Sequence, residues 1–384
     1  MFAELIRIHS INYTMNAGIA QVTKYYTPHR GGMESHIQGI SEELAKKGLR
    51  VEIYTSNIPP GEGNEEVGGV SVYRSSSWFT LSNGPFTPGL LIQLLLGDYD
   101  LVHVHLPDPF NSLYAYLASC SKNKPLVVTY HADIIKKRWF EKILYLLYKP
   151  ILHLTLGRAE KIITTSETYI EGSSLLERFR DKIDVVPNFV DHHRFNPEVD
   201  GSGIREKHNI GNKKMVLFVG RMVEYKGIGY LIEAFRDVRD AVLVVVGDGP
   251  LREELVKQAS DVKNIIFVHD VPGKELPEYY AACDLFVLSS ITRQEAFGIT
   301  LLEAMASGKP CITTNISGMP YVVGDCGIKI TPKNTTALTY AITELLRNDA
   351  DLKERGGCGR RRVNEQFTKE KVTERTFNIY GDIL

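Results

Sequence analysis

No two cysteines in this 384-residue chain have the CxxC spacing of a zinc or redox motif. The five present, Cys120, Cys283, Cys311, Cys326 and Cys358, are scattered and odd in number. The expectation is reduced thiols with packing roles, not a disulfide or zinc framework, and a cytoplasmic location. Excess charge is also missing. The 45 Lys and Arg are met by 46 Asp and Glu, a net of −1, so no global positive field argues for nucleic acid. No apolar run reaches the roughly 18 residues needed to span a bilayer. Glu4, Arg7 and His9 interrupt the first residues, so no secretory leader is expected. Met15, shortly before the first strand pattern, is an alternative start that an intact mass distinguishes. The sequence also lacks GxGxxG and HExxH, which removes the dinucleotide fingerprint and the usual zinc-protease pattern.

What is present is ordinary for a globular chain, 43% apolar and 24% charged, and long enough for two domains of about 150–200 residues each. Short apolar strands alternate with helical patterns. In the first half the strands are expected at 18–26, 51–55, 67–74, 99–105, 126–129, 161–165 and 183–186, with a helix at about 33–47. In the second half they are expected at 215–219, 241–246, 265–268, 284–288, 310–313 and 327–330. Further helices are expected at 336–347 and 352–365, with a tail helix over 368–384. The alternation implies parallel sheets covered by helices. The polar stretch from Pro187 to Asn212 reads as the connection between two sequential doubly wound halves. Ligands in such sheets sit at the carboxyl ends of the strands.

The stretch around which the chain is organised is Arg293 to Pro310, RQEAFGITLLEAMASGKP. Gly298 reads as the hinge from a loop into a helix. That helix is apolar from Ile299 to Ala306 except for Thr300 and Glu303. A carboxylate on such a helix is rare unless paired or used. Glu295 lies in the loop ahead, close to helix N–H groups that lack intrahelical partners and form an anion site. Phosphate-binding amides flanked by two hydroxyl-accepting carboxylates match the chemistry of a sugar nucleotide.

The other motifs each carry two readings. Gly220-Arg221 ends a strand and Lys226-Gly227 follows; the cations either hold phosphate or belong to a solvated loop. Gly31-Gly32 either lets backbone approach a phosphate or makes a tight turn. Gly247-Asp248-Gly249-Pro250 is read as turn chemistry, with Pro250 opening a helix. His131, at a strand end, either donates to a sugar or is structural; His103 and His105 share that ambiguity, and no spacing among them supports a metal. Residues 135–156, with Lys136, Lys137, Arg138, Lys142 and Lys149 among bulky apolar residues, form either a membrane-surface helix or a core helix with a charged face.

In combination these residues resemble the retaining glycosyltransferases of family 4. The resemblance spans most of the chain. Its most specific part is Glu295-Ala296-Phe297-Gly298 to Glu303, continued to Gly308 and Pro310; Gly220-Arg221, Lys226-Gly227, Pro187-Asn188 and Leu276-Pro277 also fit. It implies the α/β GT-B fold, two Rossmann-like doubly wound domains facing across a deep cleft. The domains would be 1–189, with a helix at 367–384 crossing back onto it, and 190–366. By the same resemblance, Arg221 and Lys226 would hold the donor diphosphate and stabilise the leaving nucleotide. Glu303 would accept both ribose hydroxyls. Glu295 and the amides of Ala296, Phe297 and Gly298 would orient the transferred sugar, and amides near Thr300 and Leu301 would meet the diphosphate. Gly31 and Gly32 would close over the phosphates, His131 would lie at the reacting sugar, and the base would rest near Val268 and His269. Relatives often carry Gly where this chain has His269.

The implied reaction moves a hexose from a UDP- or GDP-sugar to a glycan, lipid-linked or small-molecule hydroxyl. It proceeds by front-face attack, with no cofactor and no metal, and the donor and acceptor are the implied partners. A basic 135–156 helix would make the protein peripheral to a membrane. Rival readings are a sugar-nucleotide epimerase of the same fold and an inactive sugar-nucleotide-binding partner subunit. Phosphorylase chemistry would need a pyridoxal-binding lysine that the sequence does not reveal.

Overall fold

The computed structural model describes residues 16–29, 31–60, 63–81, 84–134 and 139–384. Met15, Lys136, Lys137 and Arg138 therefore lie outside the described residues. The chain forms two compact units. One comprises the chain up to Thr165, with Ser173–Pro187 and Lys369–Leu384; the other comprises Ser166–Gly172 and Asn188–Thr368.

The first unit runs β1 (Gly18–Val22), α1 (Gly32–Lys46), β2 (Arg50–Ser56), β3 (Asn64–Val67), β4 (Val70–Ser75), β5 (Phe79–Leu81) and β6 (Gly84–Phe86). It continues through α2 (Pro88–Leu96), β7 (Leu101–Leu106), α3 (Pro109–Lys122), β8 (Leu126–Tyr130), α4 (Trp139–Arg158), β9 (Lys161–Thr164) and β10 (Ile183–Val185). Eight strands form one sheet in the order β10-β9-β8-β7-β1-β2-β4-β3. All pairs are parallel except β3 with β4. The connection through α1 steps toward β2, whereas those through α3 and α4 step the other way from β7. Right-handed crossovers therefore put α1 on one face of the sheet and α3 and α4 on the opposite face. Helix α3 packs between α2 and α4. The central strands β1, β7 and β8 are buried along their whole length, as a sheet covered on both faces requires.

The second unit contributes α5 (Glu167–Ile170), α6 (Ser202–Lys207), β11 (Lys214–Val219), α7 (Ile228–Ala234), β12 (Ala241–Val246), α8 (Arg252–Gln258) and β13 (Ile265–Val268). There follow α9 (Leu276–Ala282), β14 (Leu285–Leu288), α10 (Ile299–Ala306), β15 (Cys311–Thr314), α11 (Met319–Val323), β16 (Ile328–Ile330), α12 (Thr335–Leu346) and α13 (Asp349–Gln366). The last helix, α14 (Lys369–Ile383), belongs to the first unit and packs on α1. The second sheet has six parallel strands in the order β13-β12-β11-β14-β15-β16. The strand order reverses between β11 and β14, and that switch point is where a doubly wound sheet opens a crevice for ligands.

Several sequence expectations change. The first strand stops at Val22, not Tyr26. The strand expected at 67–74 is the second arm of an antiparallel pair with Asn64–Val67, turned at Gly68 and Gly69, whose φ values of 60° and 80° suit glycine. The hairpin β5–β6 and helix α2 had no counterpart in the sequence reading. Pro250 does not open a helix; it lies in the turn before α8.

The cysteine expectation is overturned. Cys326 and Cys358 form a disulfide with Cα atoms 5.4 Å apart, across 32 residues, tying the segment before β16 to α13. Scattered spacing cannot reveal such a pair, because connectivity depends on the fold. Cys120 is free and exposed, and Cys283 and Cys311 are free and buried. A loop of this length restrains the unfolded chain by about 3–4 kcal/mol in the chain-entropy account. Reduction by dithiothreitol, or Cys358→Ser, should lower the melting temperature of the oxidised protein clearly, by differential scanning fluorimetry. Cys120→Ser should leave it unchanged.

Candidate active site

At the switch point, β11 ends at Val219 and is followed by Gly220, whose φ of 158° favours glycine. The neighbouring strand end packs closely against it: a Cβ on Gly247 would sit 2.1 Å from the Gly220 carbonyl oxygen. The Gly247-Asp248-Gly249 turn thus serves close packing of two strand ends. Gly247 and Asp248 also line a cavity of about 350 Å³ with Gly220, Arg221, Asp270 and Val271. Arg221 is exposed and forms no ion pair among the described residues, so its guanidinium is available to an anionic ligand.

Lys226 closes a short 3-10 turn, and Gly227 (φ 65°) starts α7. A Cβ there would meet the Ser289 carbonyl oxygen at 2.2 Å. The Ser289 hydroxyl donates to the Lys226 and Gly227 carbonyls at 3.1 and 3.2 Å. This fastens the turn to the end of β14. The Lys226 ammonium donates to Glu295 Oε2 at 2.5 Å, and Ser290 Oγ donates to the same oxygen at 3.2 Å. Both ion-pair side chains are about nine-tenths covered. Burial alone pulls Lys226 down, but Glu295, with Tyr225 and Glu303, more than offsets it and holds the pKa above its usual value.

The loop carrying Glu295 is clamped by its backbone. The Ala296 carbonyl accepts from Gly318 N–H at 3.0 Å and Ser317 Oγ at 3.3 Å. Phe297 is buried against Tyr321 and Phe367. Gly298 adopts φ 89° and caps α10 without a side chain, which leaves the start of the helix to backbone donors. Thr300 sits in the first turn, and its Oγ1 is buried with no hydrogen-bond partner in the structure. The Leu301 N–H is already given to the Gly298 carbonyl at 2.9 Å. The Leu301 N–H is thus used within the helix turn, whereas the Thr300 hydroxyl is not. One turn on, Tyr280 donates to Glu303 Oε2 at 2.6 Å. Burial raises the Glu303 carboxyl to about 7, against the opposing pull of Tyr280, Arg194 and Lys226.

Gly298→Ala would place a methyl 2.9 Å from Leu301 Cδ1 in a left-handed conformation. The expected cost is about 1–3 kcal/mol, read as a lower denaturant midpoint, together with weaker ligand protection of this unit.

The second unit thus brings together Arg221, Lys226, Glu295, Ala296, Phe297, Gly298, Thr300, Leu301 and Glu303 on the ends of β11 and β14 and the start of α10. Val268 lies at the same rim: it pairs with Val246, and its carbonyl accepts from the cavity-lining Gly247 N–H at 2.9 Å. His269 is half exposed and paired with Asp270 at 2.7 Å, and the cavity wall next to them is made by Asp270 and Val271. Asp270 has φ 53°, which redirects the chain there in a way strand periodicity does not announce.

The remaining candidates lie in the first unit. Gly31 has extended backbone (φ −167°) and caps α1, so it does not serve a left-handed turn. The Glu34 carboxylate lies over it, where a Cβ would be 2.2 Å away, and His29 approaches Glu34 at 3.6 Å. Gly32 is the first helical residue. His131 follows β8, its Nε2 3.1 Å from Nδ1 of His105, whose Nε2 is 3.3 Å from Gln21 Oε1. His103 bridges Tyr380 and Thr129 at 2.6 and 2.7 Å. Burial first, then the neighbouring imidazoles, hold His103 and His131 down at about 3 and His105 well below its usual value. The imidazoles are therefore neutral at pH 7. His103 and His105 share one face of β7, but the pairing of His105 with His131 runs across to the end of β8 and no local pattern announces it. A Gln21 amide oxygen accepting from His105 leaves Nδ1 of His105 to accept, so His131 carries its proton on Nε2.

Residues 30–194 match Glycosyltransferase Family 4, and residues 202–362 match Glycosyl transferases group 1. The D-rhamnosyltransferase WbpZ of Pseudomonas aeruginosa is 30% identical over 90% of this chain and 90% of its own. The chain belongs to glycosyltransferase family 4. The O-antigen chain mannosyltransferase C of Escherichia coli is 29% identical to this glycosyltransferase, over 94% of this chain and 96% of that protein. Among solved structures, sucrose-phosphate synthase from Thermosynechococcus elongatus superimposes with a TM-score of 0.77, at 21% identity over 96% of this chain and 99% of that one. Anabaena HepE in complex with UDP-glucose gives 0.75, at 18% identity over 96% and 100%. These likenesses carry the fold: this family 4 enzyme has the GT-B fold, with two Rossmann-like units.

Proposed function

We propose that this family 4 glycosyltransferase transfers a hexose from a UDP- or GDP-sugar to an acceptor hydroxyl, with retention and without a metal ion. The observation that carries the reading is the Lys226–Glu295 pair set beside an uncapped α10, one turn from the Tyr280–Glu303 pair. Lys226, Arg221 and the helix start offer positive charge where a departing diphosphate gains negative charge, which is electrostatic preorganisation. Glu303 offers two carboxylate oxygens for ribose hydroxyls, and Glu295 with the Ala296 to Gly298 backbone orients the sugar. The acceptor oxygen forms its bond to C1 as the C1–O bond to phosphate breaks, and the leaving phosphate takes the acceptor proton. No protein nucleophile takes part, so the two glutamates are not a glycosidase pair. His131 and the Gly31-Gly32 segment are proposed to serve the same reaction from the first unit. The names of relatives, a mannosyltransferase, a rhamnosyltransferase and a GDP-mannose-dependent mannosyltransferase, favour a hexosyl or deoxyhexosyl donor carried on GDP. We also infer work in the cytoplasm at a membrane surface, on a lipid-linked or glycan acceptor, with contact through residues 135–156. Among the described residues no helix is long and apolar enough to cross a membrane.

Proton NMR of slow donor hydrolysis tests the chemistry. An α-linked donor should release the α anomer first, with the rate unchanged by EDTA. Initial release of the β anomer contradicts retention. Appearance of an epimeric sugar points to the epimerase, and no turnover with any acceptor points to a partner subunit.

A further inference from the structure

Fourteen large apolar residues are well exposed among the described residues, and twelve of them fall between positions 78 and 154. The elements that carry them are contiguous. Helices α3 and α4 lie on one face of the first sheet with α2 packed against α3, and the β5–β6 hairpin rests on the start of α3 through Phe79, Phe86 and Phe110. The opposite face, covered by α1 and α14, has none of the fourteen. On α4, Trp139, Ile143, Leu146, Leu147 and Leu154 are exposed at helical spacing, along one stripe. Residues 75–97, covering the hairpin and α2, include no charged side chain. Both tryptophans of the chain, Trp78 on the hairpin side and Trp139 on α4, lie here, 75% and 74% exposed.

We infer that this whole face, and not the α4 segment alone, is a docking surface for an anionic lipid bilayer, with the hairpin, α2 and α4 entering the interface together. Charge selects this occupant. Between residues 135 and 158, six Lys and Arg stand against Glu141 alone, in a chain whose net charge is −1. Of these, Lys142, Lys149 and Arg158 lie on α4; a segment of this charge complements anionic headgroups, and the exposed stripe of α4 seats below them. A second copy of the chain would bring the same cations against each other across a twofold axis, which opposes association. Tryptophan favours the water–hydrocarbon boundary, where its ring is buried and its N–H stays wet. The inference rests on the membrane reading of residues 135–156 and extends it to two further elements, which fixes the orientation of the first unit on the surface.

The two tryptophans are the reporters. Trp78→Phe and Trp139→Phe each leave one, and each protein is mixed with vesicles of phosphatidylglycerol and phosphatidylcholine, or of phosphatidylcholine alone. The expected result is a blue shift, and quenching by brominated acyl chains, at both positions with anionic vesicles only. Leu146→Asp with Leu147→Asp should reduce vesicle partition about tenfold or more, while nucleotide-sugar stabilisation in a thermal-shift assay stays as in wild type. A response from Trp139 alone overturns the extended face and leaves only the α4 contact. No response at either tryptophan, equal binding to neutral vesicles, or a dimer that hides both tryptophans overturns the proposal outright. None of these outcomes changes donor stabilisation, so failure here is separable from failure of the sugar-transfer reading.

Discussion

Lys226→Met should lower kcat by about 10²–10³-fold, the range for removing one preorganised donor from a developing anion. It should also destabilise the ligand-free protein, because Glu295 then keeps only Ser290 in a mostly covered site. Stranding one partner of a buried pair costs about 3–5 kcal/mol, and the remaining Ser290 bond places this case near 3. The two effects separate in Lys226→Met with Glu295→Gln, which removes both charges. The double variant should recover most of the lost stability by urea denaturation and none of the lost turnover. If turnover returned with stability, Lys226 would be a structural cation and the phosphate role would fail.

Glu303→Gln should weaken donor binding so far that millimolar nucleotide sugar no longer saturates the enzyme, because an amide offers one acceptor oxygen where the carboxylate offers two. Its stability effect has the opposite sign. The folded-state pKa of Glu303 is raised from 4.5 to about 7. The folded protein therefore binds more protons than the unfolded chain between those values, and stability falls as pH rises through that window. Glu303→Gln escapes this loss, so ligand-free Glu303→Gln should gain melting temperature relative to wild type at pH 8 and show little gain at pH 4.5. Donor affinity of the wild type should weaken below pH 7 as the carboxylate takes up a proton. His131 and His103 are held at about 3, which leaves Glu303 and Asp108, raised by burial to about 6, to titrate between pH 5 and 8; an acid limb in KM that survives Asp108→Asn belongs to Glu303. A limb that persists unchanged in a weakly binding Glu303→Gln enzyme would contradict this assignment.

How far the sequence carried depends on whether a feature is local. Gly298 and Glu303 were legible because a lone carboxylate on an apolar helix, started by glycine, is an anomaly inside one short stretch. The doubly wound second unit was legible because its strands are short apolar runs separated by helices of ordinary length. Lys226 and Glu295 were each singled out, but their pairing spans 69 positions, and no local pattern encodes it. The Cys326–Cys358 bridge failed for the same reason, compounded by a prior against disulfides in scattered cysteines. The hairpin at 79–86 was missed because its two strands have three residues each, too short for period-two alternation to register. Its stability comes from aromatic contacts with Phe110 instead. Val268 was legible as a strand end at the cavity rim, whereas Asp270 and Val271, which line the cavity around a left-handed residue, gave no local signal.

The most direct test of the central claim is a thermal-shift panel of UDP-, GDP- and ADP-sugars on wild type and on Glu303→Ala. A ligand that binds only the folded state raises the melting temperature by mass action. The account predicts stabilisation of the wild type by one nucleotide family, UDP or GDP, and no stabilisation of the variant. Absence of stabilisation by every nucleotide sugar, or equal stabilisation of both proteins, would contradict the donor site built on Lys226, Glu295, α10 and Glu303.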